Sequence, residues 1–126
     1  MAATENIIFE SPKWLTIEIS NDDAVGAEAA VIKVNKSDYT GPNGAEPSKL
    51  TIMEARWDVL AGGSIDVEWD HTTNDRFMFL TGEGSVDFTD QGGFHDPASA
   101  GGTGDIVFTT IVGSPYSVTL HIRKKD

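Results

Sequence analysis

Tyr116-Ser-Val-Thr-Leu-His-Ile-Arg123 alternates apolar and polar residues throughout, and Ser64-Ile-Asp-Val-Glu-Trp-Asp70 does the same. A period of two sends successive side chains to opposite faces, so each segment reads as a strand with one dry face and one wet face. Lys13 to Ser20 follows the pattern, with Leu15, Ile17 and Ile19 on one side and Thr16, Glu18 and Ser20 on the other. Further strands are expected at Ala30 to Lys36, Lys49 to Leu60, Arg76 to Thr81, Gly84 to Phe88 and Ile106 to Val112, with an edge strand or arm at the N-terminus over Asn6 to Glu10. The apolar run Phe77-Met-Phe-Leu80 suggests a strand covered on both sides.

Turn chemistry separates these runs. Thr40-Gly-Pro-Asn-Gly-Ala-Glu-Pro-Ser48 cannot continue a ladder, and Gly62-Gly63 and Gly82-Glu-Gly84 read as tight connections. No window carries a helical stripe; Asp22 to Ala30 could form one short helical turn, weakened by Gly26. About seven to nine short strands with regular turns define an all-β fold, a single-domain antiparallel β-sandwich, jelly-roll-like, over residues 1–126. Residues 1–12 are expected as an arm or edge strand and 89–105 as a long glycine-rich loop. A loop of that length in a compact domain either binds something or stays mobile.

The chain of 126 residues holds 20 acids against 9 lysines and arginines, a formal charge of −11, and no cysteine. One domain of this size buries about two thirds of its unfolded surface, so a core can form without a cross-link. Absence of cysteine excludes a disulfide scaffold, a thiolate zinc site and a cysteine nucleophile. Such acidity argues against nucleic acid and against anionic membrane as partners. No basic and apolar leader is expected from the opening residues, and no run approaches the ~18 apolar residues of a span. No Lys or Arg lies between Arg76 and Arg123, while Arg123, Lys124 and Lys125 cluster at the end.

Reactive constellations are sparse. His71, His95 and His121 show no metal-ligand spacing, and no nucleophile elbow or phosphate loop is present. Asp66, Glu68 and Asp70 share a wet face, which reads as solvated carboxylates rather than a cation site. No catalytic, cofactor-binding or metal residue is therefore expected, and no cofactor. Trp69 belongs to the dry set; Trp14 falls on the polar side of its strand and suggests a contact with another chain; Trp57 is ambiguous. An exposed row of Trp14 and Trp57 would favour a carbohydrate-binding module for receptor adsorption. A small hydrolase would require two titratable side chains within hydrogen-bond reach in a concavity.

Trp69-Asp-His-Thr-Thr-Asn-Asp75, Phe77 to Gly82, Val86-Asp-Phe88, Gly92-Gly93, Pro97, Gly101 to Asp105 and Tyr116 to Lys125 occur in an order that resembles a family of small virion structural proteins of tailed bacteriophages. The resemblance covers about the last 60 residues. His71, Asn74 and the polar Thr89-Asp-Gln91 depart from the family pattern, and the first half has no counterpart in it. The resemblance implies a non-enzymatic virion component, foremost a capsid decoration (cement) protein on the capsid surface. Its partners would be the major capsid protein or other virion proteins, and it would form a homo-oligomer, a trimer being favoured. Ile7, Ile8, Phe9, Trp14, Phe94 and Pro97 are the expected interface residues, as apolar groups near a free terminus or in the long loop.

Overall fold

The computed structural model describes residues 4–21, 28–60, 62–71, 73–96, 103–110 and 115–125. Ten strands follow in order: β1 (Thr4–Glu10), β2 (Trp14–Asn21), β3 (Val31–Val34), β4 (Lys49–Val59), β5 (Ile65–Trp69), β6 (Asp75–Leu80), β7 (Glu83–Asp87), β8 (Phe94–His95), β9 (Ile106–Thr110) and β10 (Tyr116–Lys125). They form two antiparallel sheets. One runs β1-β2-β10-β4-β7, with β8 also paired to β4; the other runs β3-β9-β5-β6. With β1 and β8 set aside, the orders β2-β10-β4-β7 and β3-β9-β5-β6 are those of an eight-stranded jelly roll.

The dry faces meet as read from the period. Leu15, Ile17 and Ile19 of β2, Val118, Leu120 and Ile122 of β10, Ile65, Val67 and Trp69 of β5, and Ile106 and Phe108 of β9 are all buried. Each such side chain withdrawn from water contributes about 1.5–3 kcal/mol, which is what holds the two layers together.

The structure departs from the sequence reading in several places. β6 is an edge strand, not a covered one: Phe79 is exposed beneath Arg76, and only Leu80 of its apolar run is buried. Inside the expected loop 89–105, Thr89–Gln91 forms a 3-10 turn and Phe94–His95 a short strand. That excursion lets β4 serve two neighbours, pairing Glu54–Asp58 with β7 and Thr51–Ile52 with β8. Gly93 makes the return possible, because it has φ +91° and a Cβ there would lie 2.3 Å from Thr51 Cγ2. Residues 22–27 of the expected helical turn, and Pro97, lie outside the described residues.

Register shifts reassign faces. Opposite β10, Ile122 pairs with Ile52 and His121 with Glu54, so Met53 is an extra residue in β4. The bulge inverts the parity of everything after it: Ala55, Trp57 and Val59 then oppose the buried Leu120, Val118 and Tyr116. Trp57 thus joins the inner face, lying across Gly84 of β7 and donating its Nε1–H to the Thr81 carbonyl at 3.2 Å.

Candidate docking surface

The outer face of the six-stranded sheet carries the polar members of β2, β10, β4 and β7. At its edge, β1 presents Ile7, Ile8 and Phe9, which are 48%, 56% and 54% exposed. A second register shift lies here: Ile7 pairs with Ile17 and Phe9 with Thr16, leaving Ile8 as the bulged residue. Ile8 lines a shallow groove of about 500 Å³ with Thr16, Glu54, Arg56, Thr119 and His121. Three consecutive exposed apolar residues on an edge strand without lysine or proline to blunt it are what a pairing or packing surface looks like.

Trp14 opens β2, the strand next to that edge, and is half-buried, not bare. Its indole stacks on the imidazole of His121 with centroids 5.0 Å apart and planes 7° apart. His121 Nδ1 is in turn 2.9 Å from Thr16 Oγ1, so the imidazole is held between its neighbours.

Phe94 belongs elsewhere. It pairs with Ile52 and so turns inward, where it stacks with Phe77 (centroids 5.4 Å apart) and reaches Trp69 (6.4 Å). The residues therefore divide: Ile7, Ile8, Phe9 and Trp14 share the β1–β2 hairpin, while Phe94, still 38% exposed, lies against the rings of Trp69, Phe77 and Phe88. Trp14 and Trp57 lie on opposite faces of one sheet, so they form no common platform.

One titratable pair escaped the sequence reading. His71 Nε2 lies 2.7 Å from Asp96 Oδ1, their side chains 5% and 8% exposed. The two are 25 positions apart and adjoin β5 and β8, so no local spacing announces them. Asp96 also lines a cavity of about 190 Å³ with Lys36, Ser48, Lys49, Leu50, Thr103 and Gly104. Thr103 is engaged there with Asp70, its Oγ1 donating to Oδ2 at 3.0 Å. Near-complete burial suits a tie between two loops better than attack on a substrate.

The wet-face acids each have a local partner: Asp66 receives Arg76 at 3.1 Å, Glu68 receives Thr109 at 2.9 Å, and Asp70 receives Thr103. Among the described residues no group of three or more histidine and acidic side chains converges as a metal site would require. No helix among them is long and apolar enough to cross a membrane.

The fold and surface define an acidic jelly-roll sandwich with an apolar edge. Compared with known protein families, curated proteins and solved structures, the chain has no match.

Proposed function

We propose that this chain is a non-enzymatic virion structural protein of a tailed bacteriophage, a capsid decoration protein that binds the major capsid protein lattice as a homo-oligomer, most simply a trimer. The observation that carries the reading is the exposed Ile7-Ile8-Phe9 edge on an otherwise acidic sandwich. Ordering Ile8 and Phe9 against a neighbour would contribute about 1.5–3 kcal/mol per side chain, and repetition over a lattice multiplies a weak contact into firm attachment. A charge of −11 keeps free subunits apart before assembly. The resemblance of the last 60 residues to small virion proteins supports the same reading.

Mixing purified protein with undecorated capsids tests it. The protein is expected to bind and to raise the capsids' resistance to heat, and the double variant Ile8→Asp, Phe9→Asp is expected to lose binding while remaining folded. Unchanged capsid binding by that variant would remove the edge from the account; no binding by the parent protein would remove the role.

The carbohydrate-binding alternative rested on a Trp14–Trp57 row, and the bulge at Met53 separates those rings onto opposite faces. A glycan array without hits is the outcome expected of it.

A further inference from the structure

Among the described residues four cations are matched by a carboxylate of their own fold. Lys33 meets Glu28, Lys36 meets Glu46, Arg76 meets Asp66 and Lys124 meets Glu10. In a chain with 20 acids this is the expected arrangement. Lys13, Lys49, Arg56, Arg123 and Lys125 form no ion pair among the described residues, and of these five Lys49, Arg123 and Lys125 stand together.

Register places them. Lys125 of β10 is directly opposite Lys49 of β4, and Arg123 is opposite Thr51, which is opposite His95 of β8. Across the other side of β10, Arg123 faces Trp14 of β2. Residues two apart in a strand share a face, so Lys125, Lys49, Arg123, His95 and Trp14 occupy one corner of the outer sheet surface. Neighbours across strands are about 5 Å apart and along a strand about 7 Å. Like charges directly opposite one another are unfavourable in a sheet. Among the described residues no carboxylate forms an ion pair with Lys49 or Lys125, although acids are abundant.

His95 senses the corner. Its pKa is held below the ordinary imidazole value, first by burial and then by the charges of Lys49 and Lys125, with Asp96 opposing them. Farther along the same outer face acids predominate, through Glu18 of β2, Glu54 and Asp58 of β4, and Glu83 and Asp87 of β7, with Arg56 of β4 among them. A long polyanion laid across this face would meet those carboxylates. A short acidic stretch would fit the corner alone, with the Trp14–His121 stack as an apolar shoulder.

We propose that the corner formed by Lys49, His95, Arg123 and Lys125 is a docking site for a short acidic segment of a partner protein, its carboxylates bridging the opposed lysines and Arg123. The inference does not depend on the partner being a capsid, and its charged residues are separate from the β1 edge, which its Trp14–His121 shoulder adjoins. Loss of capsid binding in the β1 variants would leave it standing.

The probe is hexaglutamate, titrated at low ionic strength into the full chain labelled for amide NMR, where exposed charges are least screened. Shifts are expected at Lys49, His95, Arg123, Lys125 and Trp14, fading as salt is added. The variant K49E/K125E is expected to bind at least about tenfold more weakly. Arg123→Gln provides a milder change should the reversal disturb folding, and is expected to weaken binding in the same direction. Shifts elsewhere, or equal affinity in the variants, would overturn the proposal. So would tighter binding of a single-stranded oligonucleotide of matched charge, or self-association of the parent chain that K49E/K125E abolishes.

Discussion

The ammonium of Lys124, 2% exposed, lies 2.9 Å from the Glu10 carboxylate and 2.9 Å from the Thr40 carbonyl, with the Tyr39 ring 5.7 Å away. Lys124 turns inward with Leu50, its partner in β4, and Glu10 turns inward with Leu15, so the pair ties the last strand to the first beneath the sheet.

Removing one partner of this pair should cost more than removing the buried charge itself. Glu10→Gln leaves the buried ammonium with neutral acceptors and no counter-charge, and about 2 kcal/mol of stability is expected to go, below the ~3–5 kcal/mol of a fully buried pair because Glu10 remains partly wet. Lys124→Met removes the buried charge and keeps the packing, and is expected to cost less than about 1 kcal/mol. Denaturant midpoints of the two variants would check this, and the reverse order would refute it.

Alkaline pH should unfold the protein through its tyrosines. Burial, above all, raises the pKa of the Tyr116 phenol, and its hydrogen bond to Glu28 Oε1 at 2.5 Å and that carboxylate's charge add to it. Burial and the charges of Asp38, Glu10 and Glu5 likewise raise Tyr39. A phenol whose folded pKa lies above its unfolded value stabilises the fold fully below about pH 10 and loses that contribution as pH climbs through the folded value. Stability is expected to fall above pH 10, less steeply in Tyr116→Phe. These are the chain's 2 tyrosines, so an absorbance titration of the folded protein should show no tyrosinate forming at the ordinary pKa.

Adjacent glycines should respond differently to alanine. Gly92 has φ +78° with open space around it, so Gly92→Ala is expected to cost about 1 kcal/mol of backbone strain. Gly93 has φ +91°, and its Cβ would also meet Thr51 Cγ2 at 2.3 Å and Met53 Sδ at 2.6 Å. Gly93→Ala is expected to cost at least about 2 kcal/mol more, by overpacking. Equal thermal midpoints for the two variants would contradict the geometry.

Thr51→Val should stabilise. The Thr51 hydroxyl is fully buried without a hydrogen-bond partner, and an isosteric methyl removes that unmet demand. A gain of about 1 kcal/mol is expected in chemical denaturation. A loss of stability would show that the hydroxyl is in fact engaged.

Periodicity made most strands legible. The alternation at Ser64 to Asp70 and Tyr116 to Arg123 became β5 and β10 with the predicted residues inside. β8 was hidden, since two residues carry no period, and Phe94 drew notice there only as an apolar residue in a loop. Trp57 was ambiguous for a definite reason: parity counted from Leu50 and Ile52 sends it outward, and the single extra residue Met53 sends it in.

Which residues alternate is a local property of the chain, set by the pleat, so the sequence alone determined the all-β class, the dry faces of β2, β5 and β10, and the acidic surplus. Strand order, bulges and register are set by packing between segments far apart in sequence. Only the tertiary structure could therefore bring Glu10 to Lys124 and His71 to Asp96, turn Trp57 inward, and set Lys49 against Lys125. The energies that decide those meetings arise from burial shared between strands, which no single segment contains.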